Sequence, residues 1–172
     1  MAIVVQNNTG TQVGANSYIS LAEFKAYHTA RAVVAVTEST YDDTAIEGAL
    51  VVSFDYINSY RYRGSRLTLE QESEFPRDYL YDVYGNPVEG VPTKVKNAQA
   101  ELALFQLTTG LYVNPEIAAN GRAVVETSSK VGPLEETIKY ATSGSVATIR
   151  AVPAADRLLR DFLQNTGNRV YR

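Results

Sequence analysis

The sequence predicts a mainly α protein: a small bundle of about four helices with a protruding antiparallel β-hairpin and extended terminal arms. Three observations support this. Apolar residues recur at helical spacing in segments beginning near 21, 46, 95 and 155. Most of these segments open on a residue suited to a helix start. Residues 123–141 instead alternate with period two about a Gly-Pro turn. At 172 residues, 45% of them apolar, a single domain over 1–172 is expected. Folding then buries about two-thirds of the unfolded surface, enough to need no staple.

Residues 1–15 form the expected N-terminal arm, with Ile3, Val4 and Val5 followed by a polar loop containing Gly10 and Gly14. The helical core, 16–110, starts at Ser20, an N-cap that Glu23 completes as a capping box, with Ile19 stapled onto Phe24. Leu21, Phe24 and Tyr27 share one face, and the helix is expected to end near Arg31, before the β-branched run 32–36. A second helix opens at Asp42 or Asp43, where carboxylates suit the dipole. Ile46, Leu50, Phe54 and Ile57 make its core stripe, and Gly64 is its expected stop, ringed by Arg61, Arg63 and Arg66. Residues 68–92 read as loop, with one helical turn at Thr68–Gln71 and a turn at Gly85-Asn86-Pro87. A third, central helix follows Pro92, capped by Thr93, with Val95, Ala98, Leu102 and Phe105 inward and a stop at Gly110. After the hairpin a last helix, 153–164, takes Pro153 at N1 and turns Ala155, Leu158, Leu159, Phe162 and Leu163 inward. Residues 165–172 are left as a C-terminal tail, expected to be disordered in the isolated chain.

Composition excludes several chemistries. With no Cys there is no disulfide framework, thiolate zinc site or thiol nucleophile. One histidine, His28, cannot build a multi-histidine metal centre, and no G-x-S-x-G elbow accompanies it; a surface or rim position is expected. Gly10 and Gly14 lack the Lys and Ser/Thr of a phosphate loop. Neither an enzyme nor a cofactor is expected. The start has no secretory n-region or long apolar core, and the apolar run 32–36 is far too short for a membrane span. The acidic cluster Glu70, Glu72, Glu74, Asp78 and Asp82 lacks a cation-loop pattern and reads as a solvated or subunit-facing loop.

The aromatic and cationic residues are more informative. Tyr accounts for twelve aromatics and Phe for five, and six of the Tyr lie between 56 and 84, interleaved with Arg61, Arg63, Arg66 and Arg77. Such a pattern suits stacking on unpaired bases, a protein–protein hot spot, or merely the rim of a small core. A net charge of −3 weighs against the first, because backbone binding draws on phosphate neutralisation. The stretch 150–172 carries five Arg against two Asp and ends Arg169-Val170-Tyr171-Arg172. Val170 and Tyr171 add an anchor that a purely solubilising tail does not need.

Several short motifs carry a resemblance: Asn16-Ser17-Tyr18-Ile19-Ser20, Tyr56-Ile57-Asn58, Tyr62-Arg63-Gly64, Phe75-Pro76-Arg77, Val91-Pro92 through Leu104, and Lys130 through Glu135. Over roughly 16–140 the chain resembles a tailed-phage family of head-completion, or head–tail connector (adaptor), proteins, whose members are often labelled DnaT-like single-strand DNA-binding proteins. Phe75 stands where that pattern expects Trp. The resemblance implies a noncatalytic virion protein of the neck, made in the host cytoplasm. It would form a homo-oligomeric ring, expected to be a dodecamer, beneath the portal protein. The ring would meet a tail-side neck or tail-terminator protein and pass DNA through its lumen without sequence specificity. A head-to-tail ring needs two complementary faces, for which Arg61, Arg63 and Arg66 against Glu70, Glu72 and Asp78 are the candidates. Arg169, Val170, Tyr171 and Arg172 are the expected portal-docking residues. The alternative is a DnaT-like single-stranded DNA-binding protein acting in replication.

Overall fold

The computed structural model describes residues 2–37, 40–112, 124–130, 135–140 and 150–164. Five helices and two short antiparallel pairs occur among them. The chain divides into two compact units, residues 1–109 with 152–172, and Gly110–Ala151.

In the larger unit, α1 (Leu21–Thr29) starts as its sequence demands. The Glu23 N–H donates to Ser20 Oγ at 3.2 Å, and the Glu23 carboxylate accepts the Ser20 N–H at 2.7 Å. Ile19 and Phe24 join the core formed with Ile46, Ala49, Leu50, Ala100 and Ala103. The segment expected to lose helicity instead makes one helical turn, α2 (Val34–Thr37). Ala32, at φ 52°, redirects the chain there, and burial of Val36 against the core overrides its β-branched preference.

Helix α3 (Asp43–Asn58) is capped by Asp42, which accepts the Ala45 N–H at 2.8 Å. Ile46, Leu50, Phe54 and Ile57 are buried along one stripe, as their spacing requires. The helix stops before Gly64, with Ser59 as its C-cap. The cause is tertiary: residues 61–63 are drawn straight against 162–164. The Arg63 N–H donates to the Phe162 carbonyl at 2.9 Å, the Gln164 N–H donates to the Arg61 carbonyl at 3.0 Å, and Tyr62 bridges Leu163. The same pairing ends α5 (Pro153–Leu159) sooner than expected, although Pro153 does take N1. Ala155, Leu159 and Phe162 are buried. Leu158 and Leu163 are half-buried.

Helix α4 (Thr93–Thr108) packs against α1, α3 and α5, the central place its hydrophobicity suggests. Its N-cap is Pro92 rather than Thr93. Val95, Ala98 and Leu102 face inward, but Phe105 is only half-buried. The stripe also carries Gln99, wholly buried. Its carbonyl oxygen accepts the Tyr18 N–H, and its amide donates to Ser17 Oγ and the Leu50 carbonyl, each within 2.9 Å. One polar side chain thus ties the N-terminal segment, α3 and α4 together.

The N-terminal arm is held to this unit. Asn16 and Ser17 exchange backbone hydrogen bonds with Val4 and Gln6, and the buried Gln6 amide donates to Ser73 Oγ at 2.7 Å. His28, expected at the surface or rim, is completely buried between Phe24 and Tyr27, with Nε2 3.0 Å from the Ala100 carbonyl.

The smaller unit contains the hairpin at its expected position. Strands β3 (Val124–Lys130) and β4 (Glu135–Tyr140) pair from Val124↔Tyr140 to Lys130↔Glu135, with one irregularity between Val124 and Glu126. The Arg150 N–H donates to the Leu111 carbonyl, joining the two ends of the unit. The Gly132-Pro133 turn and the tail 165–172 lie outside the described residues.

Candidate nucleic-acid interface

Between α3 and α4 the chain makes a short antiparallel pair, β1 (Ser65–Arg66) with β2 (Arg77–Asp78). No helical turn forms at Thr68–Gln71; residues 69–70 make a simple turn. Arg77 organises this region. Its buried guanidinium donates to the carbonyls of Arg63 (2.8 Å), Gly64 (2.9 Å) and Glu74 (3.0 Å) and to the Glu74 carboxylate (2.5 Å). Arg66 reaches the same carboxylate from the solvent side at 2.7 Å. Gly64, at φ 75°, lets the backbones of residues 64 and 78 touch: a Cβ there would sit 2.2 Å from the Asp78 carbonyl.

The motifs that looked separate along the chain converge here. Tyr18 Oη donates to Asn58 Oδ1 at 2.5 Å and accepts the Phe75 N–H at 3.2 Å. Asn58 Oδ1 also accepts the Glu74 N–H. Phe75, fully buried and joined to Pro76 by a cis bond, packs edge-on to Tyr18, Tyr62 and Phe162, the last at 6.1 Å. Burial pushes the Tyr18 and Tyr62 phenols well above the usual range. These groups are structural, since none reaches solvent to do chemistry.

On this frame stands the loop 79–87. Leu80 is buried and anchors it, while Tyr79, Tyr81, Val83 and Tyr84 are exposed, Tyr84 by 87%. The turn closes through Asp82, whose Oδ1 accepts the Tyr84 and Asn86 N–H groups, each at 2.8 Å. Hydrogen bonds, first that from the Asn86 side chain, hold the Asp82 carboxyl below its ordinary value. The Val88 N–H donates back to the Leu80 carbonyl.

Cations gather beside this loop. The Arg63 guanidinium donates to the Tyr81 carbonyl at 3.5 Å and to the Asp161 carbonyl. Lys94 Nζ lies 2.6 Å from Asp161 Oδ2, and Arg160 Nε lies 4.0 Å from Asp161 Oδ1. The Asp161 carboxyl is held below its usual range, first by the Lys94 hydrogen bond, with Lys94, Arg160 and Arg63 all adding attraction. Three cations thus gather at Asp161, two at its carboxylate and Arg63 at its carbonyl, on a chain of net charge −3.

The expected interface residues are distributed differently. Arg61 and Arg63 lie beyond the α3 C-cap on the extended run leading into β1, and Arg66 lies in β1 itself. Arg66 is paired inside the chain, Glu70 and Glu72 are exposed, and Asp78 accepts the Tyr79 N–H. Two members of the acidic cluster are half-buried and structural: Glu74 pairs with Arg77 and Arg66, and Asp82 closes the 79–87 turn. Among the described residues no three His, Asp or Glu groups come together as a metal site. Arg169, Val170, Tyr171 and Arg172 lie outside the described residues. Lys94 and Asp161 escaped sequence reasoning because 67 positions separate them and no spacing marks the pair.

Over its whole length, residues 1–172, the chain matches the model of a family described as "Putative DnaT-like ssDNA binding protein". No curated protein and no solved structure matches it.

Proposed function

The chain belongs to this DnaT-like family, and on that premise we propose that it binds single-stranded DNA and carries out no catalytic step. The full-length family match is the observation that carries this reading. Exposed tyrosines beside clustered cations are consistent with it, since single-strand binders combine aromatic faces for bases with cations for phosphates. A fluorescence titration with a single-stranded oligonucleotide at two salt concentrations tests it. Saturable binding that weakens with salt is expected. An oligonucleotide that leaves the protein unsaturated at both salts overturns the proposal.

A second reading is the ring-forming connector between a phage portal and tail. It is favoured by the overall charge of −3 and by exposed apolar side chains such as Leu69 and Val83, which suit a protein neighbour better than a phosphate backbone. On this reading the protein is a component of finished particles, and removing residues 165–172 abolishes attachment to portal-bearing heads. Electron microscopy of purified particles lacking the chain at the neck would dismiss it.

A further inference from the structure

Resting on the single-strand reading above, we propose that the exposed tyrosines of the 79–84 loop form a base-stacking platform. The adjoining Arg63, Lys94 and Arg160 then contact the phosphates of the same strand. The two parts are contiguous, because Arg63 donates both to the Tyr81 carbonyl and to the backbone carbonyl of Asp161, the residue whose carboxylate Lys94 and Arg160 approach.

Three features suit a stacked base. Tyr79, Tyr81 and Tyr84 are exposed by 71%, 48% and 87%, so their ring faces are open to a ligand. The backbone beneath them is rigid, pinned by Asp82, by Leu80 and by the Tyr81–Pro87 bridge, so little ordering entropy is lost on binding. Finally, Arg77, just before the loop, donates to the Arg63 and Gly64 carbonyls, which ties the foot of the loop to the segment that carries Arg63.

The chemistry predicts a particular binding profile. Ring faces accept any base, so sequence preference is weak, whereas a duplex hides its base faces and is excluded. Three cations neutralise at most three phosphates, and single strands release about 0.7 counterions per phosphate, so the log–log salt slope should be no steeper than about −2. Asp78 and Asp82 flank the tyrosines and keep the electrostatic share small.

The test compares three ligands of equal length on the intact chain: single-stranded oligo(dT), the same strand made abasic, and a duplex. Tyrosine emission is a direct reporter because the chain has no Trp. Quenching by oligo(dT), with the abasic strand and the duplex each binding about tenfold or more weakly, is the expected result. Tyr79→Ala and Tyr84→Ala should each weaken oligo(dT) binding about tenfold while the circular dichroism spectrum is retained. Equal affinity for the abasic strand overturns the platform without needing any variant. Unchanged affinity in both folded variants overturns it too, and either result leaves single-strand binding itself standing. If the tyrosine variants change the oligomeric state and not DNA affinity, the loop is a protein contact and the proposal fails. An intact chain that binds no oligonucleotide removes both the platform and the reading beneath it.

Discussion

Arg77 and Glu74 form an ion pair 2.5 Å long, in which the arginine side chain is 7% exposed and the glutamate 15%. The pair closes the segment 62–78 on itself, because the remaining guanidinium donors are spent on backbone carbonyls. Arg77→Ala should therefore destabilise the protein by about 3 kcal/mol or more, because the Arg63, Gly64 and Glu74 carbonyls lose their donor at about 1–3 kcal/mol each, while the Glu74 carboxylate keeps only its outer partner Arg66. Arg77→Lys should rescue little, since an ammonium lacks the planar fork that reaches three carbonyls together. Urea unfolding of the two variants measures both effects. The outer Arg66–Glu74 pair is far more exposed on the arginine side, and Arg66→Gln should cost under about 1 kcal/mol.

Gly64→Ala tests the close approach of β1 to β2. A side chain at φ 75° is strained, and its Cβ would collide with the rigid Asp78 carbonyl. A loss of roughly 1–3 kcal/mol is expected, visible as a lowered thermal midpoint. Gly85→Ala is the control: φ is also positive there, but nothing lies within 4 Å of the added carbon, so its cost should be smaller.

Gln99→Leu conserves volume but strands the buried Tyr18 N–H and leaves the Leu50 carbonyl and Ser17 hydroxyl one donor short. Each stranded group costs about 1–3 kcal/mol. Denaturant unfolding should show a clear loss, and hydrogen exchange should show the Tyr18 amide exposed earlier than in the parent.

His28 makes stability depend on pH. Burial lowers its pKa below the ordinary value of 6.5, more than the Ala100 hydrogen bond and Glu101 raise it, and Arg31 lowers it further. The unfolded chain thus binds its proton first. Stability from His28 is complete above about pH 6.5 and is lost as pH falls through the lower folded value. Urea midpoints at pH 7.5 and 5.0 should therefore differ, and His28→Gln should shrink the difference. An equal difference in the variant would refute this assignment.

Helix starts were legible because they are local. Ser20 with Glu23, and Asp42 before Ile46, satisfy backbone donors within one turn, so a few consecutive residues decide them. Helix ends were less so. Both α3 and α5 stop where residues 61–63 and 162–164 pair, and neither segment announces a partner about a hundred positions away. His28 shows the same limit: on its own helix it looks like a rim residue, and it is α4 that covers it.

By itself, the sequence determined the class of fold, the starts of α1, α3 and α5, the hairpin position and the clustering of Tyr and Arg between 56 and 84. Tertiary structure alone divided those residues by role. It buried Tyr56, Tyr62 and Arg77 as scaffolding, left Tyr79, Tyr81 and Tyr84 in solvent, and brought Lys94 to Asp161. The reason is physical: periodicity and capping act over a few residues, whereas desolvation and charge pairing depend on which distant segments come to lie against one another.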